Sequence, residues 1–438
     1  MIGYALLGIA ILLYPIKKKY SLLIFFAFCS GGFQVFTQRV LDAKTPDLAA
    51  LYTVVICIYS YFVEKKHYRN DVVHKLFIAF IIFFIMSMFF SLIHYGFSIA
   101  QIIQGSRMHW TFLSLYFLQK TRLKDVYWLI RVILYITVVI AFLYIIQVIT
   151  GFPVLPYSYE ASIDVNSGIG RYYNYPFYLS FSIYIITIFP KQVNIKMPKI
   201  CLFILFLALL CTQGRTMIIS LILVLFVGLW LNGHKTKLVK AGVALTIFLL
   251  PFADFISSRF SGGGTDSDIQ TILSGKFIND FDSRTGTGYS ATGGTMSYRF
   301  AWVYERAEYL SHRPLSENIF GLGLISDSQV RLVNRLYKFN LGLTQENGYR
   351  AQLITPDISY GNFLTQFGYV GGSLLLMFWV VILVRLFKNR RQDPVIFSTM
   401  LVVFFYFINS LAGSTMSNMT SFALPYLVLS LIYRKDNV

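Results

Sequence analysis

Arginines are the side chains of this sequence with the clearest capacity for chemistry. Arginine keeps its charge, and its planar guanidinium binds phosphate or carboxylate through two parallel hydrogen bonds. Arg215 stands between two apolar runs in CTQGRTMIISLILV, where a charge is costly to place and usually functional. Arg171 begins RYYNYP, and Arg299 begins RFAWVYERAEYLSHR. We therefore predict that these three arginines bind an anionic ligand.

Polar and aromatic neighbours extend this predicted site. The residues after Arg171 could stack on sugar rings or hydrogen-bond to them. For any single arginine, an alternative is pairing with a loop carboxylate or with lipid headgroups. The further ligand-binding candidates are Arg107, Tyr172, Asn174 and Arg313.

Asp357 lies where the polar segment meets the next apolar stretch. It precedes an apolar stretch at residues 359–387 and is followed by Tyr360 and Asn362, which are predicted to contact the same ligand. A carboxyl group with a pKa of about 3.9 is a poor base for a sugar hydroxyl unless burial raises that pKa. Asp357 could instead orient a hydroxyl by hydrogen bonding, or it could be the N-cap of the next helix.

These residues belong to a membrane protein by composition. The 438 residues are 56% hydrophobic and 13% charged, which excludes an ordinary soluble domain. The N-terminal apolar run has its lysines after it and lacks a small-residue cleavage site, so we expect a first span and not a removed signal peptide. Apolar stretches long enough to cross a bilayer recur along the chain. We expect them to be helices, because a helix satisfies its own backbone hydrogen bonds within lipid.

The apolar stretches define the expected architecture. We predict an all-α polytopic protein with about 12–13 transmembrane helices and one large extracytoplasmic loop containing short helices. Residues 1–256 form the N-terminal helices, 257–358 the loop and 359–438 the C-terminal helices. The predicted spans are 2–16, 20–37, 48–63, 75–94, 107–118, 127–149, 172–189, 199–213, 214–232, 238–256, 359–387, 395–412 and 419–433.

The distribution of basic residues predicts the orientation. Lysines and arginines cluster in alternate connections, and short loops rich in them stay cytoplasmic. The loop at 257–358 is then predicted to be extracytoplasmic. The formal net charge of +18 is explained by positive-inside sorting and by contact with anionic lipid, so the bilayer is the predicted partner of the basic residues. A nucleic-acid partner is therefore excluded, since the basic charge is explained by topology.

The predicted outer loop has two parts. Residues 257–297 are rich in Gly, Ser, Thr and Asp, whereas 297–313 place apolar residues at helical spacing, and 327–340 are a second helix candidate. The pairs Asp266/Asp268 and Asp280/Asp282 resemble a metal-binding D-x-D, but nucleotide sugars, its usual ligands, are cytoplasmic. The histidines have no zinc-site spacing, so no metal is predicted.

Several segments follow one another in a recognisable order. A split span starts with GR at 214–215, and the outer loop contains R-x-x-W at 299–302 and P-L-x-x-x-x-F-G-L-G at 314–323. The stretch F-L-x-x-F-G-Y-V-G follows at 363–371. Together, over residues 165–433, they resemble the O-antigen polymerase and O-antigen ligase superfamily of bacterial membrane glycosyltransferases.

The resemblance implies a GT-C-like fold and a glycosyltransferase that needs no metal or other cofactor. Its arginines would hold the pyrophosphate of an undecaprenyl-linked oligosaccharide while an acceptor hydroxyl attacks the anomeric carbon. Arg215 and Arg171 match the family's G/S-R and R-x-x-G/N-x-P segments, and Arg299 matches an R-x-x-x-W segment that is one residue shorter here. The catalytic candidates are thus Arg215, Arg299 and Asp357, and the substrate-binding candidates are Arg171, Tyr172, Asn174, Arg107, Arg313, Tyr360 and Asn362.

Asp357 also bears on the choice between related activities. It occupies the position at which the family's ligases carry a histidine, so we predict a polymerase of repeat units in the bacterial cytoplasmic membrane, with its large loop on the periplasmic or extracellular side. A chain-length regulator and a flippase are the protein partners that this activity implies. The alternatives are a ligase acting on lipid A-core, a flippase for lipid-linked oligosaccharides, and an inactive structural subunit.

Overall fold

A computed structural model describes most of the chain outside the outer loop. The predicted span at 238–256, the two D-x-D pairs and the helix candidate at 327–340 lie wholly or largely outside the described residues. The described residues are 2–37, 43–64, 71–156, 161–163, 170–192, 195–233, 235–236, 238–240, 242–243, 274, 295–326, 336–337, 339, 341, 352–355 and 357–435.

The described part of the chain is mostly helical, with one two-stranded antiparallel sheet that pairs Ser162 with Arg171. The α-helices are α1 (Ile2–Ile16), α2 (Lys18–Cys29), α3 (Thr45–Phe62), α4 (Val72–Ile93), α5 (Ile99–Ser106), α6 (Leu115–Leu118), α7 (Leu123–Thr150), α8 (Leu179–Ile188), α9 (Pro198–Cys211), α10 (Arg215–Leu231), α11 (Thr295–Ser311), α12 (Leu315–Phe320), α13 (Ser359–Lys388), α14 (Pro394–Asn409) and α15 (Ala423–Lys435). The strands are β1 (Ala161–Ile163) and β2 (Gly170–Tyr172), and 3-10 helices cover Gly32–Gln34, Arg107–Ser114 and Met419–Phe422.

Four of the described helices, α3, α4, α7 and α13, are long and apolar enough to cross a membrane. Six further apolar segments are shorter: α1, α8, α9, α10, α14 and the helical stretch Met419–Tyr433. Since lipid tails are as apolar as the helix surfaces, close packing is what holds such helices together. The chain is therefore a mostly helical membrane protein.

Three predicted spans have irregular backbones. The stretch 107–118 is a 3-10 helix followed by the single turn α6, and the Thr111 hydroxyl bonds to the Met108 carbonyl at 2.8 Å, three residues back. The stretch 172–189 begins in β2, and its helix starts at Leu179, after Pro176. The stretch 359–387 is broken at Gly368. These breaks lie next to the residues of the candidate site.

Helix ends that the charge pattern assigns to one face lie together. At one face, Lys18 Nζ lies 3.9 Å from Glu64 Oε1. At the other, Arg107 Nη1 lies 3.0 Å from Asp47 Oδ2. The predicted outer face is thus formed by the starts of α3, α8, α10 and α13, the ends of α4, α7 and α14, and the helices α11 and α12.

Candidate functional site

Arg299 and Asp357 form the first part of the site. Arg299 Nη2 lies 3.5 Å from Asp357 Oδ1, and both side chains keep contact with solvent, at 16% and 29% exposure. Arg299 is held by α11, whose apolar face buries Trp302. The Arg299 Nε has no hydrogen-bond partner among the described residues. A carboxylate and a guanidinium therefore stand side by side at the edge of the molecule.

Asp357 is positioned by a short network. The Thr355 hydroxyl contacts Asp357 Oδ2 at 3.4 Å and accepts from the Asp357 backbone N at 3.2 Å. Asn362 bonds both the N and the O of Thr355 at 2.8 Å, and its Nδ2 also donates to Ser417 Oγ at 3.1 Å. The N-cap of α13 is Ile358, so Asp357 is not a helix cap.

Tyr360 and Asn362, both predicted to contact a ligand, make hydrogen bonds within the protein. The Tyr360 hydroxyl donates to the Phe407 carbonyl at 2.9 Å and so joins α13 to α14. Asn362 is buried at 1% exposure and makes the Thr355 bonds described above. Both residues lie close to Asp357 in the chain, but their polar groups form hydrogen bonds within the protein, Tyr360 to Phe407 and Asn362 to Thr355.

Arg171 and Arg215 lie in the second part of the site. The Tyr144 hydroxyl donates to the Tyr172 carbonyl at 2.7 Å, and Gln213 Nε2 donates to the Gly170 carbonyl at 3.4 Å. The first bond attaches β2, which carries Arg171, to α7, and the second attaches it to the turn before α10, which begins with Arg215. Two arginines that are distant in sequence are thereby placed on neighbouring segments.

The surroundings of Arg171 suit an anion. Its guanidinium lies 5.0 Å from the Tyr173 ring, and its Nε is buried without a hydrogen-bond partner in the described part of the chain. Burial raises the pKa of the Tyr175 hydroxyl, and the positive charge of Arg171 opposes that rise. Tyr173 is 47% exposed. The pair of Arg171 and Tyr173 is thus open to a charged sugar derivative.

Tyr172 and Asn174, the predicted sugar contacts, point inward. Tyr172 is 4% and Asn174 2% exposed, and Asn174 accepts from Gln147 Nε2 at 2.8 Å and donates to the Leu155 carbonyl. Alternation along an extended segment places Tyr173 on the opposite side from both. Among the predicted sugar contacts after Arg171, Tyr173 is thus the exposed one, as a period of two along an extended segment indicates.

Arg215 occupies the first position of α10, after Gly214. The amino end of a helix carries a partial positive charge and unsatisfied N–H groups, which favour anions. The preceding residue, Gln213, has φ of 53°, an uncommon value for a residue other than glycine. Strained backbone of this kind clusters at binding sites.

Arg107 and Arg313 have carboxylate partners. Arg107 pairs with Asp47, and Arg313 makes two hydrogen bonds to Glu317, from Nε at 2.8 Å and from Nη2 at 2.9 Å. Their charges are balanced within the protein, which is the alternative considered for single arginines. Neither residue lies in the two arginine sites above.

Both arginine sites adjoin helices that pack against α14. Tyr360, near Asp357, bonds to α14 at Phe407, while α8 and α10 pack against the same helix. Among the residues described, no three His, Cys, Asp or Glu side chains are grouped as a metal site requires. The arrangement offers two cationic positions, one carboxylate and exposed aromatic surface.

No family model matches this chain, and no curated protein matches it.

Proposed function

We propose that this chain is a glycosyltransferase that polymerises undecaprenyl-pyrophosphate-linked oligosaccharide repeat units at the outer face of the bacterial cytoplasmic membrane. One observation carries the proposal: Arg171 with Arg215 and Arg299 with Asp357 form two arginine sites on segments adjoining helices that pack against α14. Cations suit a pyrophosphate leaving group, and a carboxylate suits an acceptor hydroxyl. The order of the sequence segments supports the same reaction.

In this mechanism the arginines act on the leaving group. The bond between the anomeric carbon and the phosphate oxygen breaks, and its electron pair stays on that oxygen. Arg171 has an unpartnered Nε, and Arg215 adds its charge to a helix amino end. Donors fixed before the reaction stabilise the developing charge without having to reorganise.

Asp357 acts on the acceptor. The hydroxyl oxygen of the incoming repeat unit forms the new bond to the anomeric carbon, and its proton passes to the Asp357 carboxylate and then to water. Arg299 and Thr355 hold the carboxylate in place. The growing chain is thereby moved onto the non-reducing end of a new unit, and undecaprenyl pyrophosphate is released.

The experiment is a reconstituted polymerisation assay. The full chain in lipid nanodiscs is incubated with labelled undecaprenyl-pyrophosphate repeat units, with and without lipid A-core acceptor, and the products are separated on a gel. We expect a ladder without acceptor. Arg171→Lys, Arg215→Lys and Arg299→Lys should each reduce it at least about tenfold, because lysine cannot reproduce the two-pronged contact.

Arg391→Lys is the matched control, since Arg391 is exposed at the opposite face and should leave the ladder unchanged. A single product that requires lipid A-core would replace the polymerase by a ligase. Intact repeat units that cross a vesicle membrane without elongation would replace it by a flippase.

A further inference from the structure

Helix α13 is broken near its start. Gly368 has φ of 64° and ψ of −167°, so the residues before it, 359–367, form a separate half-helix. Such a break frees carbonyl groups that would accept hydrogen bonds in a continuous helix. A freed carbonyl inside the protein needs another donor. That donor comes from the outer loop.

The donor lies in residues 317–325, which we call the strap. Leu322 N donates to the Thr365 carbonyl at 2.7 Å. Gly321, with φ of 81°, lies against Gly368: a β-carbon built on either glycine would stand 2.6 Å from the backbone N of the other. Neither position has the backbone or the space for a side chain. The strap therefore fills the break with backbone against backbone.

Glu317 fastens the first end of the strap. Its side chain is 1% exposed, and its carboxylate is paired with Arg313 and with His94, whose Nε2 lies 3.0 Å away. Burial raises the pKa of Glu317, but the hydrogen bonds from Arg313 and His94 outweigh burial and hold that pKa below its ordinary value. The carboxylate thus joins α12 to the residue after α4.

Further contacts attach the strap to the same end of α4. The Tyr95 hydroxyl donates to the Gly321 carbonyl at 2.9 Å, and Leu324 N donates to Ser91 Oγ at 3.0 Å. The rings of Phe90 and Phe320 stack with centroids 4.9 Å apart. The strap is thus a bridge from α4 to the break in α13.

The half-helix carries the carboxylate side of the candidate site. Asp357 comes directly before it, and Gly361 lies against Trp302, because a β-carbon built on Gly361 would stand 2.3 Å from the ring atom Cζ3. Trp302 follows Arg299 by one helical turn on α11. Where the half-helix sits therefore decides how Arg299 faces Asp357.

We propose that the strap sets the position of the half-helix, and that Glu317 is a positioning residue for the pair of Arg299 and Asp357. This inference rests on the proposed function only for its effect on turnover. Glu317 does not touch the site itself. It acts through the strap, because the strap fills the break from which the half-helix extends.

The test uses the full chain labelled with 5-fluorotryptophan and read by 19F NMR. The chain has five tryptophans, and Trp302→Phe assigns the Trp302 resonance. Glu317→Gln removes the charge that Arg313 and His94 hold. Ser91→Ala on α4 removes the hydroxyl that accepts a hydrogen bond from Leu324 N of the strap, and it is the milder variant. Glu308→Gln is the matched control, since Glu308 is a half-buried carboxylate on α11 outside the strap.

We expect Glu317→Gln to shift or split the Trp302 resonance and Ser91→Ala to shift it less, while Trp230, which is 65% exposed and remote from the strap, stays in place. Glu308→Gln should shift none. An unmoved Trp302 resonance in both strap variants would overturn the inference. Movement of every tryptophan resonance would also overturn it, since that indicates general unfolding. If Glu317→Gln does not fold, Ser91→Ala decides.

Turnover separates this inference from the proposed function. In the polymerisation assay, Glu317→Gln should lower the rate about tenfold with little change in the apparent KM for the lipid-linked substrate. If the unmodified chain makes no polymer while the Trp302 resonance still responds, the strap inference stands and the proposed function falls. Loss of polymer with a stationary Trp302 resonance would refute the strap as its cause.

Discussion

At the residue scale, Asp357 is the most informative position of the candidate site. Asp357→Asn keeps the shape and the contacts to Arg299 and Thr355 but removes the proton acceptor. We expect turnover to fall about 100-fold, within the range for general base catalysis, with an unchanged KM for the lipid-linked substrate. Steady-state polymerisation kinetics would measure both values. A raised KM with normal turnover would mean that Asp357 only binds the acceptor.

Tyr173 is the aromatic neighbour of Arg171 that is most open to a ligand. It is exposed beside Arg171, while Tyr172 is buried. Tyr173→Ala should raise the KM for the lipid-linked substrate about tenfold, because a stacking surface is lost. Tyr172→Phe, which keeps the buried ring, is the control in the same assay. A larger effect of the Tyr172 variant would favour Tyr172 as the ligand contact.

Glu317 gives the candidate site a dependence on pH. Its lowered pKa means that its contribution to folding is present above the ordinary carboxyl value and is lost as pH falls through the lowered one. The groups that face it are His94, Arg313, Tyr95 and Tyr309. We expect the outer loop to become protease-sensitive at acid pH. In Glu317→Gln this acid transition should be absent, and its persistence would assign it to another group.

At the scale of elements, the sequence predicted helices better than it predicted their interruptions. The helix predicted within 297–313 is present as α11, but its buried face includes Glu305 and Arg306 and so is not the apolar stripe that the sequence indicates. The break at Gly368 was not predicted, since glycine within an apolar run has no distinctive pattern. It depends on the strap, which is distant in sequence. Likewise, burial of Asn362 depends on Thr355 and Ser417.

The two glycines at the break provide a test at this scale. Gly321→Ala and Gly368→Ala each introduce a β-carbon at positive φ and in contact with backbone, so each should cost about 1–3 kcal/mol and lower the Tm of the purified protein. Gly8→Ala is the control, because nothing lies within 4 Å of its β-carbon position. Thermal unfolding in detergent measures all three. An unchanged Tm for both break variants would show that the half-helix is not held by close backbone contact.

At the scale of the whole molecule, charge is separated by face. The connections predicted to be cytoplasmic are rich in lysine, whereas the same pattern assigns Arg171, Arg215 and Arg299 to the opposite face. The positive-inside rule concerns short loops, and it leaves isolated arginines at the other face unexplained. The proposed binding of an anionic lipid-linked substrate at that face would account for them. The proposed function therefore requires that these arginines lie at the outer face.

This orientation is tested by cysteine labelling in a chain whose four native cysteines are replaced by alanine. Leu315→Cys, at a position 75% exposed on α12, should react with a membrane-impermeant maleimide in intact cells. Arg391→Cys, exposed at the opposite face, should react only after permeabilisation. The reverse pattern would place both arginine sites in the cytoplasm. Polymerisation at the outer face would then be impossible, because the pyrophosphate of the outward-facing repeat unit could not reach Arg171 or Arg215.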